Sequence, residues 1–209
     1  MLNDPQKVVL LGESCAEKTD IISVFSLGYY DPEKIKSLTA QFIRKTLDFE
    51  DGKSVTFDIW DTAGQHYLPK IFLKDANAII LVYDITNKKS FTELKEYWYQ
   101  QIKRDENEEL VLVVAGNKNE LCEQKEIADK EAEEWAKSIG AVFFSISAKN
   151  GIGINKMFDY IGKKLLDPKF DYYADLPKKG LENKTNEKTN EQKANKSNKK
   201  NKNKDCLIF

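Results

Sequence analysis

A chain of 209 residues, 41% hydrophobic and 32% charged, has the length for one compact α/β domain plus a tail and the composition for a real core. Its net charge of −1 is unevenly spread: residues 181–205 hold eight lysines against three glutamates and one aspartate, leaving −5 on the remainder, so an anionic partner, membrane or nucleic acid, is expected at that end alone. Three scattered cysteines (Cys15, Cys122, Cys206) and one histidine (His66) make no CxxC pair or His/Cys cluster, which argues against structural zinc and for a reduced, intracellular setting; the start of the chain lacks a signal-peptide pattern, and no apolar run approaches membrane-span length.

The first element is a buried strand over 7–12, where Val8, Val9, Leu10 and Leu11 run together and Gly12 ends them. A helix follows from Lys18, with Ile21, Ile22, Val24 and Phe25 on its apolar face, and Gly28 to Pro32 ends it. Strands at 42–49 and 55–60 flank the turn Glu50-Asp51-Gly52-Lys53, a hairpin signal. Pro69 interrupts any helix between Gln65 and Ala78, which is therefore short. The rest alternates: strand 78–83, helix 91–102, strand 110–115, helix 126–139, strand 141–146, helix 152–166. Six strands in this alternation predict a mostly parallel sheet with helices on both faces and one antiparallel edge pair. Ligands in such sheets sit beyond the carboxyl ends of the strands, so the loops after residues 12, 60, 84, 116 and 146 share one rim. From Gly180 onward Lys and Asn dominate, and such a segment buries too little to offset its ordering entropy.

The chemistry-bearing residues fall on that rim. Gly12-Glu13-Ser14-Cys15-Ala16-Glu17-Lys18-Thr19 stands between a strand and a helix, the context of a phosphate loop of the form G-x-x-x-x-G-K-[ST]. There, backbone N–H groups and the helix N-terminus hold phosphates, Lys18 neutralises them, and the Thr19 hydroxyl binds Mg²⁺. Glu17 replaces the second glycine and Asp20 adds another acid, so the segment alone reads equally as a strand-to-helix turn with a capping threonine. Trp60-Asp61-Thr62-Ala63-Gly64-Gln65 leaves the second hairpin strand with an aspartate for Mg²⁺ through water, a glycine N–H for a γ-phosphate, and a glutamine to orient an attacking water.

WDTAGQ resembles the switch II signature of the Rab family within the Ras-like small GTPases. Leu81 to Thr86 resembles that family's LVYDIT strand, Gly116 to Leu121 its guanine motif GNKxDL, and Ser147-Ala148-Lys149 its SAK loop, so the resemblance spans about residues 7–167. It implies a P-loop NTPase fold of the small G-protein kind over residues 1–170, a Lys/Asn-rich hypervariable tail over 171–205 and a prenylation box at 206–209. It further implies GTP or GDP as ligand with Mg²⁺, and nucleotide contacts from Glu13, Ser14, Cys15, Ala16, Glu17, Lys18, Thr19, Asp20, Tyr30, Ser37, Gly64, Asn117, Lys118, Glu120, Ser147, Ala148 and Lys149. Thr19, Ser37 and Asp61 would serve the metal, and Gln65 and Lys18 the chemistry. Glu120 stands where the family uses aspartate, a longer arm that lowers guanine affinity if it shifts the contact by about 1 Å. Phe42, Trp60 and Phe72 fall near the family's exposed apolar effector surface, or else belong to the core.

The chain ends Cys206-Leu207-Ile208-Phe209, a C-a-a-X box whose terminal Phe favours geranylgeranylation of Cys206. Six lysines over 193–204, each worth about 1 kcal/mol near an anionic leaflet, supply the second signal that stable anchoring needs. This ending favours membrane over nucleic acid. The resemblance implies a switch on the cytoplasmic face of an endomembrane compartment, cycling with cytosol, served by an exchange factor, a GTPase-activating protein, a GDP-dissociation inhibitor or escort protein, and effectors. Glu17, Asp20, Glu120 and a shortened segment after Gln65 motivate a rival: a membrane-tethered interaction module on a degenerate GTPase fold. A P-loop kinase or ATPase is disfavoured, because Asn-Lys-x-Glu and Ser-Ala-Lys form a guanine pocket.

Overall fold

A computed structural model describes residues 4–30, 41–62, 72–102 and 109–175. Six strands form one sheet in the order β2-β3-β1-β4-β5-β6: β1 (Gln6–Leu11), β2 (Gln41–Asp48), β3 (Ser54–Asp61), β4 (Ala78–Asp84), β5 (Val111–Asn117) and β6 (Val142–Ser145). All neighbours pair in parallel except β2 with β3, joined at the Asp-Gly turn, so the expected mostly parallel sheet with one antiparallel edge pair is present. Every residue of β4 is buried, as a central strand covered on both faces requires.

The helices are α1 (Lys18–Leu27), α2 (Lys88–Glu93), α3 (Tyr99–Ile102), α4 (Asp129–Ser138) and α5 (Ile154–Leu166), with a π-helical stretch Leu94–Trp98 joining α2 to α3. Side chains alternate across a strand. Val9 and Leu11 accordingly join a core with Phe91, Leu94, Trp98 and Ala132. On a second aromatic cluster, Phe25 of α1 stacks on Phe158 of α5 at 3.7 Å, and both lean on Phe57 of β3. The chain divides into two compact units, Met1–Phe170 and a second beginning at Asp171, of which the described part holds one short helix, α6 (Tyr172–Asp175).

Three helix starts differ from the expectation, the last helix beginning at Ile154 rather than 152. The helix expected from 91 begins at Lys88, because Asn87 caps it by accepting from the Ser90 N–H at 3.2 Å. The helix expected from 126 begins only at Asp129. Glu126 is used elsewhere: its carboxylate accepts from the Lys88 N–H at 2.7 Å and its own N–H donates to the Ile85 carbonyl at 2.8 Å, which keeps it out of the helix, and Ala128 is extended just before the helix begins. Of the segment interrupted by Pro69, residues up to 71 lie outside the described residues.

Phe158→Ala removes a fully buried ring that touches two others, and it is expected to lower the unfolding free energy by about 3–5 kcal/mol. Phe158→Leu should lose less than half of that, both read from urea unfolding midpoints.

Candidate functional site: a nucleotide pocket on the sheet rim

The carboxyl ends of the parallel strands bring Gly12, Asp61, Asp84, Asn117 and Ser145 to one rim, since Leu10 pairs with Asp61, Asp84 with Asn117 and Gly116 with Ser145. Gly12 holds φ +145, and a Cβ there would stand 2.0 Å from the Val82 carbonyl oxygen, so only glycine lets β1 turn against β4. A 3-10 turn, Ser14–Ala16, then carries the chain to Glu17 and the start of α1.

Lys18 lies inside this loop. It is 3% exposed, and its Nζ donates to the Gly12 and Glu13 carbonyls at 2.8 and 2.9 Å. Burial pulls its ammonium down to about 8 against the opposing charge of Asp61, so an anion brought here would restore its proton affinity. The Thr19 hydroxyl donates to the Asp61 carboxylate, which is 1% exposed. The Thr62 hydroxyl donates to the Leu10 carbonyl at 2.8 Å and fixes the exit of β3 beside β1. Thr19 and Asp61 are hard oxygen donors brought together, and among the described residues no group of three His, Cys, Asp or Glu side chains is placed to hold a metal ion. Such a hydroxyl and carboxylate suit magnesium, a hard cation that takes few protein oxygens.

Glu17 departs from the loop pattern in conformation as well as in charge. It sits at φ 61, ψ 37, a left-handed position costing a side chain about 1–2 kcal/mol. Burial pushes its carboxyl up, Lys118 draws it down, and Asp20 and Glu120 push it up again. The Tyr30 hydroxyl is raised by burial first and then by the charges of Glu17, Asp20 and Glu120. Ser14 is exposed, Glu13, Cys15 and Asp20 are half-buried, and Ala16 is buried.

The far side of the pocket is built from Asn117. Its Nδ2 donates to the Ala16 carbonyl at 3.0 Å and to the Glu17 carboxylate at 3.1 Å, and its Oδ1 accepts from the Ala148 N–H at 2.9 Å. Lys118, itself at φ 70, pairs with Asp84 at 2.7 Å. Burial lowers its ammonium, but the Asp84 bond and the nearby Glu17 outweigh that, so the net shift is upward. The other Asp84 oxygen accepts from the Thr86 N–H and hydroxyl. The Ser147 hydroxyl donates to Glu120 at 2.5 Å and accepts from the Asn150 N–H at 3.1 Å, while Lys149 is exposed.

The pocket thus gathers Glu13 through Asp20, Tyr30, Asp61, Asn117, Lys118, Glu120, Ser147 and Ala148. Ser37, Gly64, Gln65, His66 and Cys206 lie outside the described residues. Sequence reasoning gave no role to Asp84, although a carboxylate closing a wholly apolar strand signals a partner, because a buried charge is unstable alone. On the opposite edge Phe42, 46% exposed, meets Trp60 edge-on at 5.1 Å and Trp60 meets Phe72 at 5.8 Å, with Arg44 and Lys7 over the rings. The three aromatics form one surface strip, with Trp60 also packing on the core.

A phosphate-loop pocket on this sheet order defines a P-loop nucleotide-binding protein of the small G-protein fold. The Ras family model matches residues 7–167, and the chain belongs to that family. It is 38% identical to Ras-related protein Rab-21 of Bos taurus across 77% of this chain and 73% of that protein. It is 35% identical to the GTP-binding protein ypt5 of Schizosaccharomyces pombe (77% of each) and 37% identical to Ras-related protein Rab5A of Oryza sativa subsp. japonica (77% and 79%). The chain is therefore a Rab-like small GTPase, a GTP-hydrolysing switch of vesicle traffic, and the degenerate-module alternative is not favoured.

Asp84→Asn leaves the half-buried Lys118 ammonium without its counter-charge. The expected cost is about 1–2 kcal/mol of stability in a denaturant titration, together with faster release of guanine nucleotide in stopped flow.

Proposed function

We propose that the pocket binds GTP with Mg²⁺, that Gln65 and Lys18 carry hydrolysis to GDP, and that the C-terminal segment anchors the switch to an endomembrane. One observation carries the nucleotide assignment. The buried Asn117 side chain links the first loop, through Ala16, to the Ser147–Lys149 loop, through Ala148, so three separate motifs become one pocket. In this reading Lys18 leaves its two carbonyl acceptors for the β- and γ-phosphates, and the α1 N-terminus adds its partial positive charge. Thr19 and Asp61, with Ser37, would hold Mg²⁺, which supplies charge neutralisation between the β- and γ-phosphates. Asn117 and Lys118 frame the guanine ring, Glu120 accepts from it with Ser147 fixing its carboxylate, the Ala148 N–H, bonded to the Asn117 oxygen, is shared with the ring carbonyl, and Tyr30 flanks the base.

Gln65 orients a water for in-line attack on the γ-phosphorus. The Pγ–O bond to the β-phosphate breaks, and the electron pair leaves with GDP. Loss of the γ-phosphate removes the contacts offered to Ser37 and Gly64, which is the event that effectors sense. The strip of Phe42, Trp60 and Phe72 is the apolar surface offered to them. Exchange factors, activating proteins and a GDP-dissociation inhibitor or escort protein complete the cycle. A geranylgeranyl group on Cys206 and the lysines of 193–204 make up the two-signal anchor.

Equilibrium titration with fluorescent GTP and Mg²⁺ tests the pocket: saturable binding that unlabelled GTP, not ATP, reverses is expected, and no binding at micromolar protein would reject it. Gln65→Leu should keep that binding and slow single-turnover hydrolysis by about tenfold or more, at least about 1.4 kcal/mol of barrier. For the anchor, Cys206→Ser is expected to move the protein from the membrane pellet to the soluble fraction of its host cell. Equal pelleting of both forms would remove lipidation from the account.

A further inference from the structure

We propose that Glu17 is a built-in competitor for the guanine ring, an internal carboxylate that occupies the Asn117 donor and so speeds nucleotide release. This rests on the guanine-pocket reading above and deepens it. The Asn117 amide has two N–H groups, one held by the Ala16 carbonyl at 3.0 Å and the other by the Glu17 carboxylate at 3.1 Å. Its oxygen already accepts from the Ala148 N–H. A ring acceptor can reach the amide only by displacing one of these partners. The Ala16 carbonyl belongs to the backbone of a buried residue, whereas Glu17 is a half-buried side chain with rotatable bonds, so Glu17 is the partner that yields.

Two further features set the competition. A carboxylate is a stronger acceptor than a neutral ring nitrogen, so the internal partner is not displaced for free. Lys118, one of the two residues assigned to the ring, attracts Glu17 toward the same space, while Asp20 and Glu120 oppose its charge there. Glu17 also stands at φ 61, so its influence has two separable parts: the side chain's contact with Asn117 and the backbone's cost.

Variants of the full chain separate these parts. Glu17→Ala removes the carboxylate and keeps a Cβ at the left-handed position; Glu17→Gly removes both; Glu17→Gln keeps a neutral acceptor of the same length. The probe is fluorescent GDP with Mg²⁺, released into excess unlabelled GDP. Glu17→Ala should release it about tenfold more slowly than the parent, the worth of one charge-assisted hydrogen bond. Glu17→Gly should be at least as slow, and Glu17→Gln intermediate. Melting without nucleotide gives a second readout: Glu17→Ala should melt lower than the parent there, because Asn117 loses an acceptor, and higher at saturating GDP. Slower release in Glu17→Gly alone, with Glu17→Ala matching the parent, would overturn the proposal and leave backbone strain as the whole effect. Failure of the parent and every variant to bind at millimolar GDP would instead reject the guanine pocket itself, and this proposal with it.

Discussion

One buried amide governs the arrangement of the rim. Asn117 ends β5 with no exposure, and its three hydrogen bonds reach the first loop, Glu17 and Ala148. Parallel strands deliver loops to a common edge, but they do not by themselves fix distances between them. A side-chain amide with donors and an acceptor fixed in one plane does. Leaving any of those groups unpaired in the interior costs about 1–3 kcal/mol, so the three loops adopt the positions that satisfy it.

The charged residues obey the same logic in a harsher form. Lys18 and Lys118 are both drawn out of water, and each finds a different solution. Lys118 has a full counter-ion in Asp84, with the second Asp84 oxygen bound to Thr86, and its proton is held firmly. Lys18 has neutral carbonyls and a more remote Asp61, and its proton is held loosely, near 8. The contrast fits a division of labour. A cation whose charge is already matched serves as scaffold, whereas one whose charge is poorly matched gains most from an arriving phosphate.

Much of this was legible beforehand because its physics is local. Continuous apolar runs announced the buried strands, Asp51-Gly52 the hairpin, and Gly12 the end of the first strand. Other features depend on partners distant in sequence. The start of α4 is set by Glu126 binding the Lys88 backbone, 38 positions away, so helical spacing alone placed it three residues early. The Asp84–Lys118 pair spans 34 positions and the Asn117–Glu17 contact 100, and neither appears in any periodicity. The Glu17 departure was visible as a wrong residue in a motif. That its carboxylate would turn toward Asn117 was not.

Glu17 also shows why a motif departure need not destroy a fold. The left-handed backbone costs it about 1–2 kcal/mol, and a hydrogen bond to a charged acceptor returns about 1.5–3 kcal/mol. The two nearly cancel, so the loop keeps the turn that glycine normally makes there. The cancellation holds only while the carboxylate keeps its partner. A ligand that takes the Asn117 donor removes the favourable part and leaves the strain, and it does so next to Asp20 and Glu120, where a carboxylate without its amide is least welcome. The cost of the substitution therefore falls on ligand affinity rather than on folding, which is how a chain with a preserved G-domain core can carry a glutamate in its phosphate loop.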